Sequence, residues 1–434
     1  MLNRPMVLLV LVVIAVSVGV SSYLYLSYYL PGTRTPTAEA PASPPQVSRP
    51  STAPETRAME VSAVDKAADA GIYESSTKTY TALVKDFNND GHSDILLGRH
   101  AAGEPRFYLN DGDGHFTSTN QEVFGKVDRH QCDAADVNGD WLKDIFCAVG
   151  SHHGAGIKRN QLFIQQSNNT FVDQTAKYGV LDPFSRSYSS TFVNANGDAY
   201  PDLFTIGETD RGDGMPAPWR LYVNQEGRAY RQAPEFGLER EGETGTAEAS
   251  DIDGDGWQDL FIQSRSHAAG PLYFYRNNQG NSFTNVANEV GLGQDNYVYA
   301  TLSDMNGDGR QDVIVAVRTG LGVYLNQGGT FSLAFFQSVS YGTWVAAGDV
   351  NGDDRLDIYL MRGEDTSNEP DQVYLNNGSG NNFTQMSIPS TTQGNAESVW
   401  PIDYDENGLT DFLVLNGHGK SGPVQLIAFF PASS

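Results

Sequence analysis

Basic residues are scarce in this chain. Lys and Arg number 28 against 53 Asp and Glu in 434 residues, a formal net charge of −25. Such a surface repels phosphate backbones, which excludes nucleic acid as a partner. Cysteine is nearly absent, with Cys132 and Cys147 the two examples. The His152–His153 pair therefore has no neighbouring Cys or spaced His with which to build a transition-metal site. Helical periodicity is missing apart from brief stretches such as Thr175–Tyr178 and Val286–Val290. No nucleophile–base motif and no phosphate loop appears, so the chain is expected not to be an enzyme.

Long apolar runs are confined to one place. Residues Met6–Leu30 carry no charge, follow Arg4, and end in Tyr23, Tyr25, Tyr28 and Tyr29. Twenty-five such residues can span a bilayer, with the tyrosines at the interface and the basic end in the cytoplasm. Residues 1–30 are expected to be a transmembrane anchor, with a cleaved signal peptide as the rival reading. Either one exports residues 31–434, to the cell surface or periplasm, or into the medium after cleavage. Residues 31–57 hold seven prolines and eight Ser/Thr. They read as an extended, solvated linker reaching on the order of 80 Å.

One nine-residue pattern, by contrast, is abundant. It starts at Asp86 (DFNNDGHSD), Asp136 (DVNGDWLKD), Asn194 (NANGDAYPD), Asp251 (DIDGDGWQD), Asp304 (DMNGDGRQD), Asp349 (DVNGDDRLD) and Asp403 (DYDENGLTD). The spacing runs from 45 to 58 residues, which signals a repeat architecture. A short run such as TALV or WVAAG precedes each pattern. A strongly apolar β run comes after it, as in DIFCAVG, DVIVAV and DFLVL, and then a third run such as RLYVN or QVYLN. A Gly/Asn turn and a fourth run close most units. Four antiparallel strands per unit, seven units, predict an all-β seven-bladed propeller over residues 58–434. The segment Glu60–Ile72 looks like Phe283–Leu292, which closes the fourth unit, whereas the last unit stops after Val424–Phe430. An N-terminal outer strand is therefore expected to complete the last blade, closing a ring that an open solenoid would not need.

The nine-residue loops place oxygen-bearing side chains at positions 1, 3, 5 and 9. In chain order these are Asp86, Asn88, Asp90 and Asp94; Asp136, Asn138, Asp140 and Asp144; Asn194, Asn196, Asp198 and Asp202; Asp251, Asp253, Asp255 and Asp259; Asp304, Asn306, Asp308 and Asp312; Asp349, Asn351, Asp353 and Asp357; and Asp403, Asp405, Asn407 and Asp411. Calcium is a hard cation that takes six to eight oxygens, and a carbonyl at position 7 and a glycine at position 6 suit it. Up to seven Ca²⁺ ions are expected. The Asp251 loop, with four aspartates, should hold best. The third loop should hold worst, since Asn194 opens it and Ala199 stands at position 6. Cys132 and Cys147 flank the second loop on the two strands of its hairpin, where cross-strand pairing would form a disulfide.

These loops and the "LYxNxGxxF" runs after them resemble the FG-GAP/VCBS repeat proteins, which share the integrin α-chain type of propeller, over roughly residues 58 to 430. The segments FVDQTAKYGV and FTNVANEVGL, with Cys132 and Cys147 around a loop, look most like the cartilage acidic protein subgroup. The resemblance implies calcium in the loops between first and second strands, and adhesion or protein recognition. It names no ligand, because the fold hosts many functions.

Strand parity puts the loops and the Gly/Asn hairpins on one rim. The opposite rim carries longer segments bearing Arg99, His100, His152, His153, Arg265, His267 and His418, and is the expected recognition face. The expected function is a membrane-tethered, calcium-binding module that binds an extracellular or periplasmic protein. A glycan-binding, lectin-like propeller is the alternative, with a polysaccharide lyase or hydrolase after it.

Overall fold

The computed structural model describes residues 60–74, 79–99, 105–119, 121–150, 159–182, 187–207, 218–240, 245–264, 270–293, 296–340, 342–363, 370–388, 396–416 and 422–432. The anchor and linker, and His100, His152, His153, Arg265, His267 and His418, lie outside these residues. Among the described residues no helix is long and apolar enough to cross a membrane.

The strands form seven four-stranded antiparallel sheets. In blade 1 they are Thr79–Lys85, Asp94–Arg99, Arg106–Asn110 and Phe116–Thr119, hydrogen-bonded in chain order. Blades 2 to 6 repeat this order, starting at Arg129, Ser187, Gly245, Tyr299 and Gly342. First strands of neighbouring blades pack against each other, so they surround the axis. Blade 7 has Ala396–Ile402, Asp411–Asn416 and Val424–Pro431 from the C-terminus, and its outer strand is Val61–Asp65 from the N-terminus. The pairing runs from Val61 opposite Pro431 to Asp65 opposite Ile427. The ring closes as the likeness of Glu60–Ile72 to a fourth strand predicts.

Each second strand is buried along nearly its whole length. Both faces of a blade meet a neighbour, so alternation gives way to continuous runs such as DVIVAV. The core accordingly lies between blades. One cluster joins Leu96 and Phe107 of blade 1 to Ile145 and Phe163 of blade 2, and another joins Tyr108 of blade 1 to Leu413 and Leu426 of blade 7. The two apolar stretches with helical spacing are single turns after the fourth strand, closed by Val180 N–H to Thr175 and Val290 N–H to Val286. Cys132 and Cys147 stand directly opposite each other and are bonded, with Cα atoms 4.1 Å apart.

Candidate metal centres

All seven loops turn from a first strand into a second. Position 2 is apolar and buried in every loop: Phe87, Val137, Ala195, Ile252, Met305, Val350 and Tyr404. It plugs the loop into the core between blades. Position 4 is left-handed throughout, at Asn89, Gly139, Gly197, Gly254, Gly307, Gly352 and Glu406. Position 6 is left-handed in six loops, including at Trp141 (φ 70°) and Asp354 (φ 63°), where glycine would be unstrained.

The opening carboxylate then gathers the loop's amides. In six loops the position 6 N–H donates to Oδ2 of the first residue, at 2.7–3.1 Å. In all seven, the position 7 N–H donates to the position 5 oxygen. The third loop departs from this. Ala199 is not left-handed, and Asn194 donates its Nδ2 to the Asp198 carbonyl at 2.7 Å.

The ninth residues are Asp94, Asp144, Asp202, Asp259, Asp312, Asp357 and Asp411, and all are fully buried. Their Oδ2 accepts the N–H of position 2 in the same loop. Their Oδ1 accepts the N–H of the third strand at Asn110, Gln165, Asn224, Asn277, Asn326, Asn376 and Phe429. These carboxylates therefore knit the loop to the blade whatever else they bind. Burial is the main force on them, reinforced by the loop's other carboxylates. It pushes Asp144, Asp202, Asp259 and Asp357 up to about 7 and Asp411 up to about 8.

Two loops bring three carboxylates into one cluster. Oxygens of Asp251, Asp253 and Asp255 lie within 4.8 Å of one another, as do those of Asp403, Asp405 and Asp411. Asp253 Oδ1 and Asp403 Oδ1 are buried and accept no hydrogen bond. A buried carboxylate oxygen without a donor is costly, and a hard cation is the partner that would satisfy it. The chemistry of these sets fits Ca²⁺, with Asp251, Asp253 and Asp255, or Asp403, Asp405 and Asp411, as ligands. Elsewhere protein groups stand in. Asn88, Asn138, Asn196 and Asn306 donate Nδ2 to the position 5 carboxylate. Arg310 reaches Asp308 at 2.5 Å and Arg355 reaches Asp353 at 2.7 Å, while inside the first cluster Arg276 reaches Asp253 at 2.6 Å.

Two sets of residues with a clear task escape a reading of the loops alone. The Asn of "LYxN" ties five of the blades to the loop of the blade before. Asn224, Asn277, Asn326 and Asn376 donate Nδ2 to the position 2 carbonyls of Val137, Ala195, Ile252 and Met305. Asn110 closes the ring onto Tyr404, and Gln165 substitutes in blade 2, bonded to Phe87. The motif itself is the signal. The second set sits three residues before a loop. Asp133 accepts the Phe192 N–H, and Glu248 accepts the Leu302 N–H, each reaching the first strand of the next blade. Their mark in the sequence is an acid three residues before the first loop position.

Residues 86–147, 251–315 and 304–360 match the model of the FG-GAP-like repeat. No curated protein matches. Among solved structures, an Agrocybe aegerita lectin, described as recognising non-reducing terminal N-acetylglucosamine, is similar at 19% identity. The match covers 81% of this chain and 88% of that one, with a TM-score of 0.51. The Dos1 propeller is similar at 10% identity, over 81% of this chain and 78% of that one, with a TM-score of 0.46. These likenesses concern the fold. With the seven sheets closed into a ring and three stretches matched, this chain is a seven-bladed β-propeller carrying FG-GAP-like repeats.

Proposed function

We propose that this chain is a calcium-stabilised binding module held outside the cytoplasm by its N-terminal segment. The observation that carries calcium is the pair of buried, donor-less carboxylate oxygens, Asp253 Oδ1 and Asp403 Oδ1, each inside a three-carboxylate cluster. The FG-GAP-like repeats support a protein-binding role, and the resemblance to the cartilage acidic protein subgroup supports an extracellular one. Arg276 offsets one charge of the Asp251 loop. The Asp403 loop has no guanidinium on it among the described residues, and it draws in the buried Asp411. Both loops therefore rank first, and the Asn194 loop last. The reading does not include catalysis.

Thermal melting with and without a chelator tests the calcium. A fall of at least 10 °C on chelation, restored by Ca²⁺ and not by Mg²⁺, is expected. An unchanged melting temperature overturns the reading. Glycan binding, the second reading, rests on the same propeller shape as the fungal lectin. Saturable, calcium-dependent capture of one sugar class on a glycan array would favour it over protein adhesion.

A further inference from the structure

The seven first strands leave a cavity of about 330 Å³ between them. Five of these strands carry a bulge six residues before the loop, where the register slips across Tyr80, His130, Tyr188, Thr343 and Glu397. Beyond a bulge the ladder is regular again, and alternate side chains share a face. Side chains five or three residues before a loop give the cavity two arcs of wall. Thr81, Gln131 and Thr246 come from blades 1, 2 and 4, and Tyr299, Trp344 and Trp400 come from blades 5, 6 and 7. One arc is therefore polar, and the arc across the axis from Gln131 is aromatic.

The charged groups on this wall are already engaged. Glu248 accepts the Leu302 N–H at 3.2 Å, His130 lies 3.5 Å from Asp128, and Glu397 has partners within the protein. What remains open is neutral. Gln131 and Thr246 are half-buried, and neither side chain hydrogen-bonds to any described residue. Trp400 is half-buried as well, and its Nε1 donates to Ser398 Oγ at 3.0 Å. Its polar edge is thereby satisfied, and the rest of the ring is carbon surface. Trp344 and Tyr299 extend that surface, stacked with ring centroids 3.6 Å apart. An apolar guest would shut the Gln131 amide and the Thr246 hydroxyl away from water without a partner, which is costly. An anion would lie beside Glu248 and Glu397, and a cation would find both already engaged. A guest with hydrogen-bonding groups on one side and C–H groups on the other suits both arcs. A neutral sugar ring has hydroxyls at its edge and a C–H face for the negative face of an aromatic ring. The volume lies at the small end of ligand pockets, about 300–1,000 Å³, as a single sugar needs.

From this geometry we infer that the axial cavity binds a neutral sugar residue, with its hydroxyls on Gln131 and Thr246 and its C–H face on Trp400. The inference rests on the glycan-binding reading and gives it a place in the fold. The site does not depend on whether the loops hold calcium. It differs in chemistry from the basic rim segments expected to take an anionic partner.

The test is a glycan array, followed by calorimetric titration of the full chain in a detergent without a sugar headgroup. The titrants are the methyl glycosides of glucose, galactose, mannose and N-acetylglucosamine, with glucuronate and cyclohexanol as controls. Saturable binding of at least one glycoside is expected, with neither control bound. Gln131→Leu, Thr246→Val and Trp400→Leu should each weaken it about tenfold, the loss of one hydrogen bond or one stacked ring. The first two substitutions nearly keep side-chain volume and remove no hydrogen bond within the protein, and their melting curves show that they fold. Absence of glycoside binding at millimolar concentration overturns the inference. So does equal binding of cyclohexanol, a preference for glucuronate, or full affinity in all three variants. Array capture that survives all three substitutions leaves the glycan reading standing and overturns this site, whereas absence of array capture removes both.

Discussion

Asn326 shows how much one side chain does in this molecule. Its Nδ2 donates to Ile252 in the preceding blade and to Gln311 in its own, and its Oδ1 accepts the Gly329 N–H. All of these groups are removed from water together. Asn326→Ala is expected to cost about 2 kcal/mol, read as a shift of the urea midpoint at constant slope. Asn326→Asp should be nearly as damaging, because it keeps the acceptor and loses both donations. Glu248 gives a test with pH. Burial raises its carboxyl from the ordinary range to about 7, so the folded protein holds that proton more tightly than the unfolded chain. The stabilisation is full below the unfolded value and is lost as pH rises through the folded one. Glu248→Gln does not titrate. It is expected to melt a few degrees above the wild type at pH 8 and to lose that advantage at pH 5. Both roles are partly legible in the sequence. The Asn is written in the third-strand runs of five blades, with Gln165 in its place in blade 2 and Phe429 in blade 7. Glu248 looks like one more acid in an acidic chain, and only the fold shows that it accepts the Leu302 N–H of the next blade.

The loop between first and second strands is the element on which the sequence speaks most clearly, and the reasons are physical. Position 1 must accept amides, position 2 must fill the core between blades, and position 9 must be a carboxylate because two backbone N–H groups converge on it. Those demands fix residue types at fixed spacing, so seven copies stand out. The left-handed backbone at position 4 is equally visible, since five copies carry glycine there, although a calcium-loop reading looks for the glycine at position 6. Bulges leave no such trace, because an inserted residue can be His, Tyr, Thr or Glu. The rim segments expected to recognise a partner are mostly outside the described residues, and their role remains an expectation. Two changes probe the element in blade 2. Trp141 is 86% exposed and sits at φ 70°. Trp141→Gly is therefore expected to stabilise the protein by about 1 kcal/mol through relief of the left-handed strain. Replacing Cys132 and Cys147 with alanine opens a cross-link of sequence separation 15. A loss of about 3 kcal/mol is expected, less whatever a cation in the Asp136 loop contributes. Chemical denaturation of both variants, with and without Ca²⁺, separates the two contributions.

At the scale of the whole ring, every tie runs to a neighbour. Asn side chains cross from one blade to the previous loop, acids on first strands cross to the next blade, and apolar clusters fill the gaps between them. A closed ring of such ties has no weak edge, whereas an opened one exposes two. The join lies in blade 7, where Val61–Asp65 pairs with Val424–Pro431. It is reinforced by Asp65, which accepts the Leu426 N–H and the Gln425 amide. The next turn continues the tie through the Lys66 N–H to the Leu426 carbonyl, and the Phe116 N–H of blade 1 donates to Ala70. The N-terminal segment thus clasps the last blade to the first. Removing residues 1–72 would strip blade 7 of its outer strand, leave Val424–Pro431 as an unpaired edge, and uncover apolar surface beside Phe116. The expected result is loss of the single cooperative melting transition, together with aggregation seen by light scattering. A peptide covering residues 58–72, added in excess, should restore the transition by occupying the vacant place, because no covalent link is needed for its hydrogen bonds. A truncated chain that melts at the wild-type temperature without the peptide would show that the other six interfaces hold the ring on their own, and that the clasp contributes little to its stability.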